Sequence, residues 1–209
     1  MGVTKADGRG LFLVLDGVDG CGKSTQAHLL CEWLTGNQGI EPLHVREPGS
    51  TAVGERVRAL LLDPEVEIAP ATETLLFASA RRQLQEEFIL PAIERGQSVV
   101  CERFHPSTYA YQAVAGELDR DAVLQLLNDW ATTIQPDCIV ILDMGLELAL
   151  ERRGAPSDRI EQKAADYQSM VAAGYREYCE RHEHARRVDA SGSKQEVFER
   201  IVEVLQNVV

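Results

Sequence analysis

The run LFLVLDGVDGCGKST, residues 11–25, sets the frame for the whole chain. Its first half is continuously apolar, the pattern of a strand buried on both faces of a parallel sheet. Its second half fits Gly-x-x-x-x-Gly-Lys-Ser from Gly17 to Ser24, a loop that leads from a strand into a helix. Glycine tolerates the backbone angles that curl successive N–H groups inward, toward phosphate oxygens. The positive end of the following helix adds to that field. A chance match in a chain this long is rare, on the order of one in a hundred from average glycine usage. Gly17, Val18, Asp19, Gly20, Cys21, Gly22, Lys23, Ser24 and Thr25 are therefore the candidate cradle of a nucleoside triphosphate. Lys23 is placed to reach the β- and γ-phosphates and the Ser24 hydroxyl to meet Mg2+.

Outward from this loop, short apolar runs alternate with helix-period patterns. Strands are predicted over 11–16, 42–46, 98–102, 138–143 and 185–189. Helices are predicted over 23–35, 50–62, 71–94, 119–133, 145–153, 158–182 and 193–207. Such alternation implies βαβ crossovers: an α/β fold whose five-stranded parallel sheet is covered by helices on both faces. With no repeat, low-complexity tract or linker composition, 1–209 reads as one domain.

Hydrophobic residues make up 44% and charged residues 26%, ordinary for a globular protein. The formal net charge of −12 argues against non-specific binding of nucleic acid or anionic membrane, but it leaves room for a locally basic cleft. Five scattered cysteines without a C-x-x-C pair fit a reduced, cytoplasmic protein. No apolar run approaches the ~18 residues of a membrane span. The opening MGVTKADGRG lacks the apolar core of a signal peptide, and Ala6 stands where a myristoylation motif takes Ser or Thr.

The loop alone leaves the reaction open. The guanine-reading string Asn-Lys-x-Asp is absent, and ATPase motors are more often longer, with an acidic dyad closing an apolar strand. Small nucleotide kinases are short and carry arginines in loops. Arg46 closes the second predicted strand in VREPGST, where Pro48 and Gly49 stop the strand and Ser50 or Thr51 can cap the next helix. Arg103 follows the third strand in VVCERFHPSTYAYQ. Both fall at the C-terminal edge, where open α/β sheets bind ligands. Arg81 lies four residues after Phe77 on one helical face, pairing a ring that can stack on a base with donors that can read a carbonyl.

The P-loop, REPGST, FASAR, ERFHPSTYAYQ and DRIEQ occur in that order, and together they resemble the thymidylate kinase family over most of the chain. The resemblance implies a P-loop nucleoside-monophosphate-kinase-like fold, ATP and Mg2+, dTMP as acceptor, and a homodimer. It implies that Arg46 and Arg103 clamp the acceptor's phosphate, Phe77 stacks on thymine and Arg81 donates to its O4. Thr108 and Gln112 would lie near the base, and Tyr111 would crowd the 2′ position of the sugar. Asp19 would contact the 3′-hydroxyl and the metal region. Glu102 stands where Asp is commoner, extending its Mg2+ or water contact by a methylene.

A nucleoside monophosphate is already ionised at neutral pH, so the transfer needs positioning and charge neutralisation rather than a base. The five histidines show no metal-ligand spacing, and His182 and His184 read as surface residues. ERRGAPSDRIEQ, residues 151–162, is basic and holds Gly and Pro, which suits a lid that excludes water. Its Arg152, Arg153 and Arg159 are candidate catalytic charges. Gly20 occupies a P-loop position where some family members carry arginine, so the lid is expected to supply that charge. Ala190 and Ser191, after the last strand, are candidates to lie against adenine. Two other readings stay open. A deoxynucleoside kinase would use Glu102 or Asp16 as base toward a sugar hydroxyl. A nucleotide switch with slow hydrolysis would need no acceptor.

Overall fold

β1 (Phe12–Gly17) is buried along its whole length and lies at the centre of a parallel sheet ordered β2-β3-β1-β4-β5. Its companions are β2 (Leu43–Arg46), β3 (Val99–Glu102), β4 (Cys138–Asp143) and β5 (Ala185–Asp189). The computed structural model describes residues 8–156 and 158–206. The reading of the MGVTKA opening, Ser157 within the lid, and residue 207 of the last predicted helix lie outside the described residues.

The register places Leu15 opposite Glu102 on one side and Val140 on the other. Asp16, Gly17 and Arg103 therefore emerge at one edge, beside the strand where the sheet order reverses. α1 (Lys23–Gln38) packs on β1, β2 and β3, and α9 (Lys194–Gln206) packs on α1 and β5. α8 (Ala165–Arg181) packs on β4 and β5. Between these lie α2 (Ala52–Leu62), α3 (Pro70–Leu84), α4 (Leu90–Glu94), α5 (His105–Thr108), α6 (Arg120–Asp129) and α7 (Leu146–Arg153).

All five strands stand where the sequence predicts them, to within a residue at either end. The helices depart from prediction in three informative places. The helix expected over 71–94 runs as α3, a π-helical turn over Gln85–Ile89, then α4. Pro91 has no N–H to offer, and the widened turn accommodates it, with the Leu90 N–H donating to Gln85 O. The helix expected from 158 begins only at Ala165. Asp158 Oδ1 accepts from the N–H groups of Ile160 and Glu161, each at 2.9 Å, and folds that segment into turns. An unpredicted helical stretch runs from α5 through a π-helical segment, Tyr109–Val114. It lies so close to α8 that a Cβ on Gly174 would stand 2.8 Å from Ala110 Cα. Thr51, one of the two predicted caps, fills that role and accepts from Gly54 N at 2.7 Å.

His105 is buried, stacked on Phe104 with ring centroids 4.4 Å apart and bonded to the Thr132 hydroxyl. Burial, then the Arg81 charge, hold its imidazole well below the ordinary histidine pKa. The unfolded chain takes up a proton near pH 6.5 that the folded chain refuses, so stability falls as pH drops below that value. The slope is at most about 1.4 kcal/mol per pH unit for this group. Thermal melts between pH 7.5 and 5 should therefore show a declining Tm that is flatter in His105→Gln. Equal slopes would exclude His105 as the cause.

Candidate active site

The P-loop turns through positive φ at Gly17, Gly20 and Gly22. At Gly20 a Cβ would lie 2.0 Å from Ala149 O of α7, and at Gly17 it would lie 2.5 Å from Leu142 O, so neither position admits a side chain. Lys23 Nζ donates to the carbonyls of Gly17 and Val18, both at 2.9 Å, and stands 3.7 Å from Asp19. A cavity of about 570 Å³ opens over the loop, lined by Asp19 through Gln26 together with Arg152, Ala190, Gly192, Lys194 and Val197. Arg152 donates to the carbonyls of Ala190 at 3.4 Å and Gly192 at 3.3 Å, at the end of the cavity remote from the sheet's centre. Ser191 turns its hydroxyl onto Asp189.

A second cavity, of about 230 Å³, adjoins the first. Arg46, Phe77, Arg81, Arg103, Thr108, Tyr111 and Gln112 all line it, so these predicted acceptor-side residues are brought together. Asp19, Lys23 and Ser24 line both cavities. Arg81 is buried at 1% exposure, its Nε donating to Glu47 at 2.6 Å and its Nη2 to Thr108 Oγ1 at 3.1 Å. Its Nη1 is buried without a hydrogen-bond partner among the described residues.

Arg103 adopts φ 69, the left-handed region that non-glycine residues rarely occupy. From there it donates to Asp19 and to Ser107 Oγ at 3.1 Å, and its guanidinium lies 5.6 Å from the Tyr111 ring centroid. The Tyr111 hydroxyl donates to the other Asp19 oxygen at 3.0 Å. Burial alone would raise the Asp19 pKa, but the Arg103 and Lys23 charges outweigh it and hold the carboxylate well below its usual range.

Sequence reasoning missed Arg58. It lines the acceptor cavity with Arg46 and Arg103 and donates to Pro48 O at 3.1 Å. Burial, then the Arg46 charge, lower its pKa. In ERVRALL it looks like a surface charge, yet it shares the inner face of α2 with Gly54 and Leu61, and that spacing was the available signal. Ser107 and Tyr175 were also missed. With the backbone N–H groups of Gly17, Phe104 and Ser107, their hydroxyls donate to Asp16, which is fully buried. A carboxylate so surrounded by donors is a structural anchor, which counts against Asp16 as a base.

Ser24 Oγ donates to Glu102 Oε2 at 2.5 Å, and His44 Nε2 lies 2.9 Å from Glu102 Oε1. Burial opposes the charge on Glu102, but the bonds from His44 and Ser24 bring its pKa below the usual value. Adjacent hydroxyl and carboxylate oxygens suit Mg2+, a hard cation that keeps few protein ligands and binds through substrate phosphates. Among the described residues, no group of three or more His, Cys, Asp or Glu side chains is arranged to hold a metal. His44 was not singled out from the sequence, and His182, read as a surface residue, stacks on Tyr178 at 3.9 Å.

The three lid arginines go to three different places. Arg152 faces the first cavity. The backbone N of Arg153 lies beside Gly20, its Nε and Nη1 are buried without a hydrogen-bond partner among the described residues, and its charge acts on Asp19. Arg159, expected at the phosphates, instead donates to Glu73 Oε2 at 2.5 Å and Leu61 O at 2.9 Å. Asp158 holds the turns that follow it, so that Asp158, Ile160 and Glu161 line the second cavity while the Arg159 side chain points away to Glu73 and Leu61.

A phosphate loop at the reversal of a parallel sheet, with two joined cavities meeting at its lysine, defines a P-loop phosphotransferase of the nucleoside-monophosphate-kinase class. Comparison with known proteins narrows the class. The thymidylate kinase family model matches residues 15–201. The chain is 46% identical over 169 residues to thymidylate kinase of Thermoanaerobacter sp. (strain X514), covering 80% of this chain and 82% of that one. It is 42% identical over 207 residues to thymidylate kinase of Alkalilimnicola ehrlichii, covering 96% and 94%. The crystal structure of thymidylate kinase from Ehrlichia chaffeensis matches it with a TM-score of 0.78 at 27% identity, covering 95% of this chain and 100% of that one. The chain belongs to the thymidylate kinase family.

The close approach of α7 to Gly20 yields a prediction. Gly20→Arg, which would place an arginine in the P-loop, meets both the Ala149 carbonyl and a φ of 85 that side chains resist. The variant should lose several degrees of Tm and most of the thermal stabilisation given by ATP. A full ATP-induced Tm shift would show that α7 yields.

Proposed function

We propose that this chain transfers the γ-phosphoryl group of ATP to dTMP, giving ADP and dTDP. The observation that carries this reading is the sharing of Asp19, Lys23 and Ser24 by both cavities, which lets donor and acceptor phosphates meet at one lysine. Arg46, Arg58 and Arg103 surround the acceptor's phosphate. Asp19 and Tyr111 hold Arg103 and face the sugar. Phe77 supports the base, and the unpartnered Nη1 of Arg81 is the donor for its O4. On the donor side, P-loop amides and Lys23 cradle the phosphates, and Arg152 lies toward the adenine end.

Arg153, half-buried beside the P-loop with its Nε and Nη1 lacking a hydrogen-bond partner among the described residues, is the lid charge best placed to neutralise the transferring group. Ser24 and Glu102 would hold Mg2+, which when bound neutralises charge on the β- and γ-phosphates. The acceptor oxygen attacks already ionised, so no residue removes a proton. A deoxynucleoside kinase would need such a residue, and three arginines for an acceptor phosphate would then lack a purpose.

The same reading places the enzyme in the cytoplasm as a one-domain protomer of a homodimer. Five free thiols suit a reducing compartment. Exposed Val53 and Leu60, two turns apart on α2, with Leu75 on the adjoining α3, offer an apolar face for the second copy. Light scattering on an eluting peak should return the dimer mass, and a monomer would refute that part.

The central test is ADP release from ATP·Mg2+ with dTMP, dUMP, UMP, CMP, AMP or GMP. dTMP should give the highest rate, whereas turnover of thymidine alone, or no acceleration by any monophosphate, would overturn the reading. Phe77→Ala should raise KM for dTMP about tenfold with little change for ATP. Arg103→Ala should lower kcat about a hundredfold and also raise KM for dTMP. Unchanged kinetics would remove Arg103 from the site.

A further inference from the structure

Glu73 is a nearly fully buried carboxylate that lies outside the lining of both cavities, yet three walls of the acceptor cavity are tied to it. It stands in the first turn of α3, and Phe77 and Arg81 follow at successive spacings of four, so the three form one stripe. Its Oε1 accepts from Gln112 Nε2 at 2.8 Å, and its Oε2 accepts from Arg159 Nη2 at 2.5 Å. Lys163 Nζ stands 3.6 Å away. Gln112 is one wall of the cavity, Phe77 and Arg81 are another, and the residues flanking Arg159 are the third.

The segment after Ser157 is held at further points. The Arg159 N–H donates to Leu62 O at 3.3 Å, and Gln168 Nε2 donates to Ile160 O at 3.2 Å. The other end of the lid is looser. Gly154 turns at φ 81 with open space where a side chain would be, and the bonds from Arg152 to Gly192 O and Ala190 O are long, at 3.3 and 3.4 Å.

We infer that Glu73 is a positioning residue that latches residues 158–163 down as a preformed roof on the acceptor cavity. A buried carboxylate facing two cations is strongly disfavoured once a partner leaves, because the remaining charge stays in a poorly solvating place. The roof is thereby ordered before the acceptor arrives, and the acceptor does not bear the cost of ordering it. A fixed roof also keeps water from the transferring phosphoryl group on that side.

The inference rests on dTMP as acceptor, and its test separates the two ideas. Glu73→Gln keeps the shape and an acceptor oxygen but removes the charge. In the full chain it should raise KM for dTMP about tenfold, leave KM for ATP within twofold, and speed backbone amide exchange over 158–163 while α1 exchanges as before. Arg159→Gln opens the same latch from its more exposed partner and should give the same pattern, which keeps the test available if the buried change prevents folding. An unchanged KM for dTMP in a folded variant would overturn the latch. So would a parallel rise in both KM values with faster exchange throughout. If the unaltered chain fails to turn over dTMP, the acceptor reading falls, whereas amide exchange at 158–163 still decides the latch.

Discussion

The site depends on one negative charge among positive ones. Asp19 faces Arg103, Lys23 and Arg153, and accepts from the Tyr111 hydroxyl as well. Cations gathered for phosphate repel one another when no phosphate is present, and in a partly desolvated cleft that repulsion is costly. Asp19 offsets it and fixes where the cations stand. Because it belongs to the P-loop and grips an arginine that follows β3, it also locks donor and acceptor halves in register. A chain with a net charge of −12 can thus hold a cleft suited to two anionic nucleotides.

A second carboxylate, three residues earlier at the end of β1, does the corresponding backbone work. Asp16 gathers the N–H groups of Gly17, Phe104 and Ser107 and the hydroxyls of Ser107 and Tyr175. The exit of β1, the exit of β3 and α8 are thereby pinned at one point. Arg103, in its unfavourable left-handed conformation, immediately precedes Phe104, whose N–H Asp16 holds. Strain of this kind persists only where surrounding bonds over-determine the backbone.

The strands and the P-loop were legible because a buried parallel strand leaves an unbroken apolar run and a phosphate loop leaves glycines at fixed spacing. Phe77 and Arg81 were legible as a pair because helical spacing is rigid. The helix at 105–114 was not, because Pro106 and a π-helical segment disturb the 3.6-residue period that sequence reading relies on. Arg58 escaped because a charged residue on a helix reads as solvated unless its apolar neighbours are used to orient it. Arg159 was placed at the phosphates by its neighbourhood in sequence. Its position is decided instead by Glu73, a partner 86 residues away that no local pattern reveals.

The lid and the P-loop are complementary in a way that either alone conceals. Gly20 is small and turns at positive φ, and the backbone of α7 occupies the space its side chain would need. The glycine therefore does more than omit an arginine: it admits the helix that brings one. α7 ends in Arg152 and Arg153, so its close approach sets the Arg153 backbone beside the loop and Arg152 on the wall of the cavity above it. Arg152 is spent on the carbonyls of Ala190 and Gly192, which leaves Arg153, its Nε and Nη1 without a hydrogen-bond partner among the described residues, to act on Asp19. A side chain at Gly20 and the present path of α7 exclude each other.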